Sequence, residues 1–236
     1  MKWIRVVLTI LALLLSLSCL AQKAVPPSSL DEKAGKLLVD GAMLGLGGKQ
    51  KEAIEAFDNV IALYEKAYRN GPNKVFSARS EREAKQYLAE APTNKTPVKV
   101  VAGTWAYAYY MKAYVLVELE RYADAKASLQ QAIDLAPHNS QFLSELGVVY
   151  QRENNWPLAL KAFQAAETQA MEFTPSEQKT YELSRAWRGQ ADVYVEQKQW
   201  DKAEALYRKC WGLDESDTKC ASQLDFIQRQ KAKPQK

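Results

Sequence analysis

Apolar and small residues recur along most of this chain at the three-to-four-residue spacing of a helix face. Tyr107, Tyr110, Met111 and Tyr114 fall at i, i+3, i+4 and i+7, and Leu143, Leu146, Gly147 and Tyr150 keep the same interval. Three short segments line up with one another: Arg121-Tyr122-Ala123-Asp124-Ala125, Asn155-Trp156-Pro157-Leu158-Ala159 and Gln199-Trp200-Asp201-Lys202-Ala203. Each holds a polar residue, an aromatic one, two variable positions and an alanine. The first two lie 34 residues apart and the third follows 44 residues later. Self-similarity at such a period marks stacked supersecondary units, none of which buries its apolar face alone.

Extending the alignment both ways lengthens the shared pattern. Ala113, Gly147 and Ala191 take one small position upstream of the turn, and Ala125, Ala159 and Ala203 take another downstream. Small side chains at both places let two helix axes approach closely. Tyr150, Tyr194, Phe163 and Tyr207 fill the space around that contact, and Ala132, Ala166 and Cys210 admit the next helix. This constellation resembles the tetratricopeptide repeat, a helix–turn–helix unit, over roughly residues 106–215. The resemblance implies an all-α fold, a tetratricopeptide-like α-solenoid of antiparallel helix pairs closed by a C-terminal capping helix. Leucine at Gly147 or Ala159 would overpack the contact, at a cost of about 1–3 kcal/mol.

The expected organisation runs as follows. Residues 34–70 form a degenerate helix pair: Leu37, Gly41 and Leu44 precede Ala53, Phe57 and Val60, with Gly45, Gly47, Gly48 and Lys49 at the reversal. An insertion, 71–100, opens on the turn signal Asn70-Gly71-Pro72-Asn73 and holds one short helix from Ser80, with Ser80 and Glu83 as a capping box. Repeats follow at 101–137, 138–172 and 173–215. The last has a long first helix from about Pro175 to Gln197, with Thr174 as its N-cap. Residues 216–236 supply a capping helix, carried by Cys220, Leu224 and Ile227, and a tail.

Composition changes this picture only at the start of the chain. Lys2 and Arg5, an apolar run from Val6 to Leu17, and Ser18-Cys19-Leu20-Ala21 follow the secretory pattern, with cleavage after Ala21 and a linker at 22–33. A retained anchor, or lipidation at Cys19, stands as the alternative and would be the route to membrane contact. The implied address is export, to a periplasm if the source is bacterial. Net charge falls from +4 to +2 on cleavage, with both signs interspersed. Clustered Lys and Arg for displacing counterions are missing, which argues against nucleic acid. After cleavage two cysteines remain, Cys210 and Cys220. Either they form a disulfide worth about 2–3 kcal/mol in the chain-entropy model, or they sit apart as small buried residues.

Chemistry-bearing patterns are scarce. The one histidine of the chain, His138, sits in the inter-repeat turn Ala136-Pro137-His138-Asn139-Ser140. No zinc spacing, phosphate-cradling loop or nucleophile elbow appears, so the chain is expected to be non-catalytic, without cofactor, metal or small-molecule substrate. What the resemblance implies is a groove. In that family the first helices of successive repeats line a concave face that takes an extended peptide or a partner helix. The register carries this role to Tyr107, Tyr110, Met111 and Tyr114, then Gln141, Ser144, Glu145, Val148 and Arg152, then Arg185, Arg188, Asp192 and Glu196. The tyrosine face is either an open aromatic platform or core packed under the insertion. The family's clamp for a chaperone's terminal carboxylate does not fit, because its positions hold Tyr110, Tyr114, Glu145, Arg185 and Gly189. The expected function is a protein-interaction scaffold of the cell envelope. The alternatives are an assembly or regulatory subunit of a secretion, pilus or cell-wall machine, and more remotely a hydrolase held on a solenoid.

Overall fold

The structure is a computed structural model that describes residues 29–90 and 97–233. The expected signal segment, the Cys19 lipidation site and most of the linker lie outside the described residues. The chain divides into two units at Pro137 and His138. The first holds α1 (Ser29–Leu46), α2 (Gln50–Tyr68), β1 (Lys74–Ala78), α3 (Glu81–Ala89), β2 (Val98–Ala102), α4 (Thr104–Glu118) and α5 (Tyr122–Leu135). The second holds α6 (Ser140–Arg152), α7 (Trp156–Glu172), α8 (Ser176–Glu196), α9 (Trp200–Leu213) and α10 (Thr218–Lys231). In each unit consecutive helices pack as hairpins: α1 on α2 and α4 on α5 in the first, α6 on α7 and α8 on α9 in the second. Helix α8 also packs on α7, and α10 on α9, so the second unit stacks as the resemblance implies.

One turn geometry recurs at all four reversals. Gly48, Glu120, Asn154 and Lys198 each take positive φ, at 77°, 58°, 57° and 57°. The amide after each one donates back five residues, from Lys49 to Leu44, Arg121 to Leu116, Asn155 to Tyr150 and Gln199 to Tyr194. These are Schellman closures, which satisfy carbonyls that the ending helix would otherwise leave bare. The N-terminal helix pair thus reverses with the same geometry as the three pairs that follow it.

Small residues govern the spacing. Ala113, Ala125, Ala132, Ala159, Ala166, Ala191 and Ala203 are all fully buried. Phe163 is buried against two glycines at once. A Cβ at Gly147 would lie 2.8 Å from its ring, and one at Gly189 only 2.3 Å from it. Real contacts of that kind sit well beyond 3 Å, so both glycines are bare because the ring occupies the side-chain space. Phe57 uses Gly41 in the same way, at 2.7 Å. Tyr150 packs beside Phe163, Ala159 and Val193, and Tyr194 packs beside Ala191, Ala203 and Tyr207.

Several expectations need correction. The first helix starts at Ser29, inside the stretch read as linker, where Tyr64 donates to Asp31 at 2.7 Å and ties its first turn to α2. The insertion is not helix alone. β1 and β2 pair in parallel, from Lys74 beside Val98 to Ala78 beside Ala102, with α3 as the crossover. The all-α fold therefore carries a two-stranded sheet, and β2 runs across the boundary expected at 100. Ser80 caps α3 as expected, accepting from Glu83 N at 3.1 Å. The reciprocal bond, however, comes to Glu83 from Arg79 N, at 2.7 Å. Pro175, not Thr174, is the N-cap of α8, because the Thr174 hydroxyl is turned inward onto Glu182. Cys210 and Cys220 are bonded to each other and join α9 to α10.

Candidate functional site

The two rows of proposed groove residues meet different fates. In the first unit Tyr107, Tyr110 and Met111 are buried, with 2–4% of their surface exposed, and Tyr114 is half-buried. Tyr107 and Tyr110 meet edge to face at 6.0 Å, an arrangement aromatic pairs favour in cores. Of the two readings of this face, the structure takes the core one, and these side chains form no open platform.

In the second unit the first helices α6 and α8 lie against each other. Gln141, Ser144 and Glu145 are buried, Val148, Arg185 and Arg188 are half-buried, and Arg152, Asp192 and Glu196 are exposed. Burial deepens toward the N-terminal ends, where a polar network holds the helices together. Arg185 pairs with Glu145, whose side chain is only 2% exposed. Glu182, also buried, accepts from the hydroxyls of Ser140 and Thr174. A carboxylate withdrawn from water survives only when paired and hydrogen-bonded, so this half of the row is structural.

The row opens toward the other end of α8. Arg188 pairs with Asp217, and the other oxygen of that carboxylate caps α10, accepting from Lys219 N and Cys220 N at 3.0 and 3.2 Å. Asp192 accepts from the Tyr207 hydroxyl. Burial lifts the tyrosine's pKa well above the ordinary phenol, and the Asp192 charge adds to the shift. Beyond this point α8 and α10 border a surface depression of about 370 Å³, lined by Asp192, Val195, Glu196, Ser222, Gln223 and Phe226. Phe226 is steadied by Trp200, edge to face at 6.3 Å.

His138 is held in its turn, hydrogen-bonded to Gln169 at 2.8 Å and stacked on Phe173 at 4.0 Å. Cys210, Asp217 and Cys220 bring three potential metal ligands together, but the sulfurs are bonded to each other. No helix among the described residues is long and apolar enough to cross a membrane.

Sequence reasoning missed three things here: the seat that Gly189 gives Phe163, the double duty of Asp217, and the part α10 plays in lining the open end. Gly189 did carry a signal. A glycine inside a long helix costs about 1 kcal/mol against alanine and therefore asks for a packing reason.

Residues 110–172 match the family model described as tetratricopeptide repeat. No curated protein matches the chain. Among solved structures, MamA from Desulfovibrio magneticus RS-1, in a form running from residue 41 to its end, superposes with a TM-score of 0.53 at 16% identity, over 86% of this chain and 88% of that one. A double mutant of MamA RS-1 gives 0.54 with the same identity and coverage. The first tetratricopeptide domain of Spaghetti bound to an HSP90 peptide is more distant, at TM-score 0.47 and 15% identity, over 54% of this chain and 94% of that domain. Residues 110–172 thus carry a tetratricopeptide-repeat match, and the MamA likeness shows that the chain has the helical-solenoid fold.

Proposed function

We propose that this tetratricopeptide-repeat protein is a non-catalytic scaffold that captures an extended segment or helix of a partner protein on the first-helix face of its second unit. The observation carrying this reading is the gradient along α8. Its N-terminal half is consumed by buried pairing, while its C-terminal half presents carboxylates to an open depression whose facing wall carries Phe226 of α10, a ring steadied by Trp200. Surfaces that meet partners combine such a ring with polar groups at the rim. The buried end supplies the rigidity that keeps the open end in shape, which lowers the ordering cost of binding.

The location we propose is the cell envelope, outside the cytoplasm. Support comes from Lys2, Arg5, the apolar run and Ala21 in the sequence, and from the bond between Cys210 and Cys220, since disulfides persist in oxidising compartments. Site-specific photocrosslinking in intact cells tests the reading. A crosslinker at Val195 or Gln223 should capture a defined partner, whereas one at Gln164 or Arg208, exposed on the second helices, should not. Equal capture from both faces, or capture only from the second helices, would overturn it.

A further inference from the structure

We infer that the depression between α8 and α10 is a subsite for one cationic side chain, a lysine or arginine, of the segment this face binds. The inference rests on the function proposed above and adds the chemistry of the occupant.

Two carboxylates line the depression, Asp192 and Glu196. Arg188, itself paired with Asp217, and Lys219 at the start of α10 both act on Asp192. Asp192 and Glu196 lie one helical turn apart on α8, where like charges repel. Burial raises the Asp192 carboxyl above the usual carboxylate range, and the Glu196 charge adds a smaller push in the same direction. Glu196 forms no hydrogen bond or ion pair with another described residue. Of the two carboxylates that line the depression, Glu196 is thus the one with no cationic partner among the described residues.

Val195 and Phe226 give the depression an apolar wall, and Ser222 and Gln223 give it polar groups on the α10 side. Lysine and arginine combine an apolar stem with a charged head, and they lay the stem along such a wall while the head stays at the rim. The face of a phenyl ring also attracts a cation directly. The depression, about 370 Å³ and open to solvent, has room for a long side chain whose head stays in water. An acidic side chain would meet two like charges, and an aliphatic one would leave Glu196 uncompensated.

The experiment follows the amide shifts of the purified protein during titration with an acetylated, amidated leucyl-lysyl-leucine tripeptide. Counterparts with norleucine or glutamate in the middle serve as comparison. The lysine peptide should shift Val195, Glu196, Gln223 and Phe226, and should bind at least about threefold tighter than the norleucine one, as expected for a partly exposed ion pair. Glu196→Gln should erase that advantage, and Glu196→Lys should abolish saturable shifts in this region. Glu196 is exposed, so neither change threatens the fold. Equal binding of the lysine and norleucine peptides, shifts confined to other regions, or indifference to Glu196→Gln would each overturn the subsite. If in-cell crosslinking from Gln223 persists unchanged in Glu196→Gln, the face still binds a partner and only the cationic occupant is wrong. If crosslinking shows no preference for this face, the functional reading falls as well.

Discussion

Gly189→Ala adds one methyl group at the tightest contact in the second unit. Its Cβ would stand 2.3 Å from Phe163 Cε1, 2.4 Å from Cδ1 and 2.5 Å from Cζ, more than an ångström inside ordinary contact. Phe163 is fully buried, and Gly147 faces the same edge of its ring, with a Cβ position 2.8 Å away. The ring has little room to retreat. Overpacking of this kind costs about 1–3 kcal/mol, and the gain in helix propensity from glycine to alanine returns about 1 kcal/mol. A net loss of up to about 2 kcal/mol follows, a drop in melting temperature of up to about 8 °C for a chain of this size. The decisive assay is a double-mutant cycle by urea denaturation. Phe163→Ala alone should cost about 3–5 kcal/mol. In that background Gly189→Ala should become stabilising, because only the propensity term survives, giving a coupling of about 2 kcal/mol. If Gly189→Ala stabilises the protein equally with and without the ring, the wedge argument is wrong.

Four further outcomes follow from the same structure. Lys198→Gly should raise stability by up to about 1 kcal/mol in thermal melts, since a lysine held at positive φ is strained and glycine is not; Gly48→Ala should lower it. Arg185→Met should cost about 3–5 kcal/mol by leaving the buried Glu145 carboxylate without its partner, whereas replacing both by apolar residues should restore most of the loss. Reduction of Cys210–Cys220 should destabilise the second unit by about 2–3 kcal/mol, and thiol titration of the purified protein should find both sulfurs unreactive until it is unfolded and reduced. Burial raises the phenols of Tyr64, Tyr109 and Tyr207 above their ordinary value. Their neutral forms therefore favour the fold fully below about pH 10, the unfolded phenol's pKa, and that stability should be lost progressively in alkaline melts above it.

The repeats were legible because close helix contact leaves its mark at fixed offsets. Gly147 and Ala159 had to be small and Phe163 large, whatever lay elsewhere in the chain. The positive-φ turns were legible at Gly48 and Asn154, the residue types that take this conformation most readily. Glu120 and Lys198 adopt it because the Schellman closure outweighs the local strain, and nothing in their chemistry says so. The strand pair was hidden for a different reason. Val98–Ala102 is rich in valine and Lys74–Ala78 carries Val75 and Phe76, but their pairing depends on a partner beyond an intervening helix. Among the groove candidates the register found the right helices without the right depth. Glu145 and Arg185 pair across 40 positions of sequence, so two charges expected to greet a ligand instead neutralise each other. Asp192 and Glu196 remained open because the row runs past the buried network, toward a helix whose lining role no repeat motif foretells.

Hydrogen exchange on the complex with the partner captured in cells tests the central claim most directly. Added protection should concentrate in residues 188–196 of α8 and 219–226 of α10, with none gained along α9 or in β1, α3 and β2. Protection gained on the second helices, with α8 and α10 unchanged, would contradict the account.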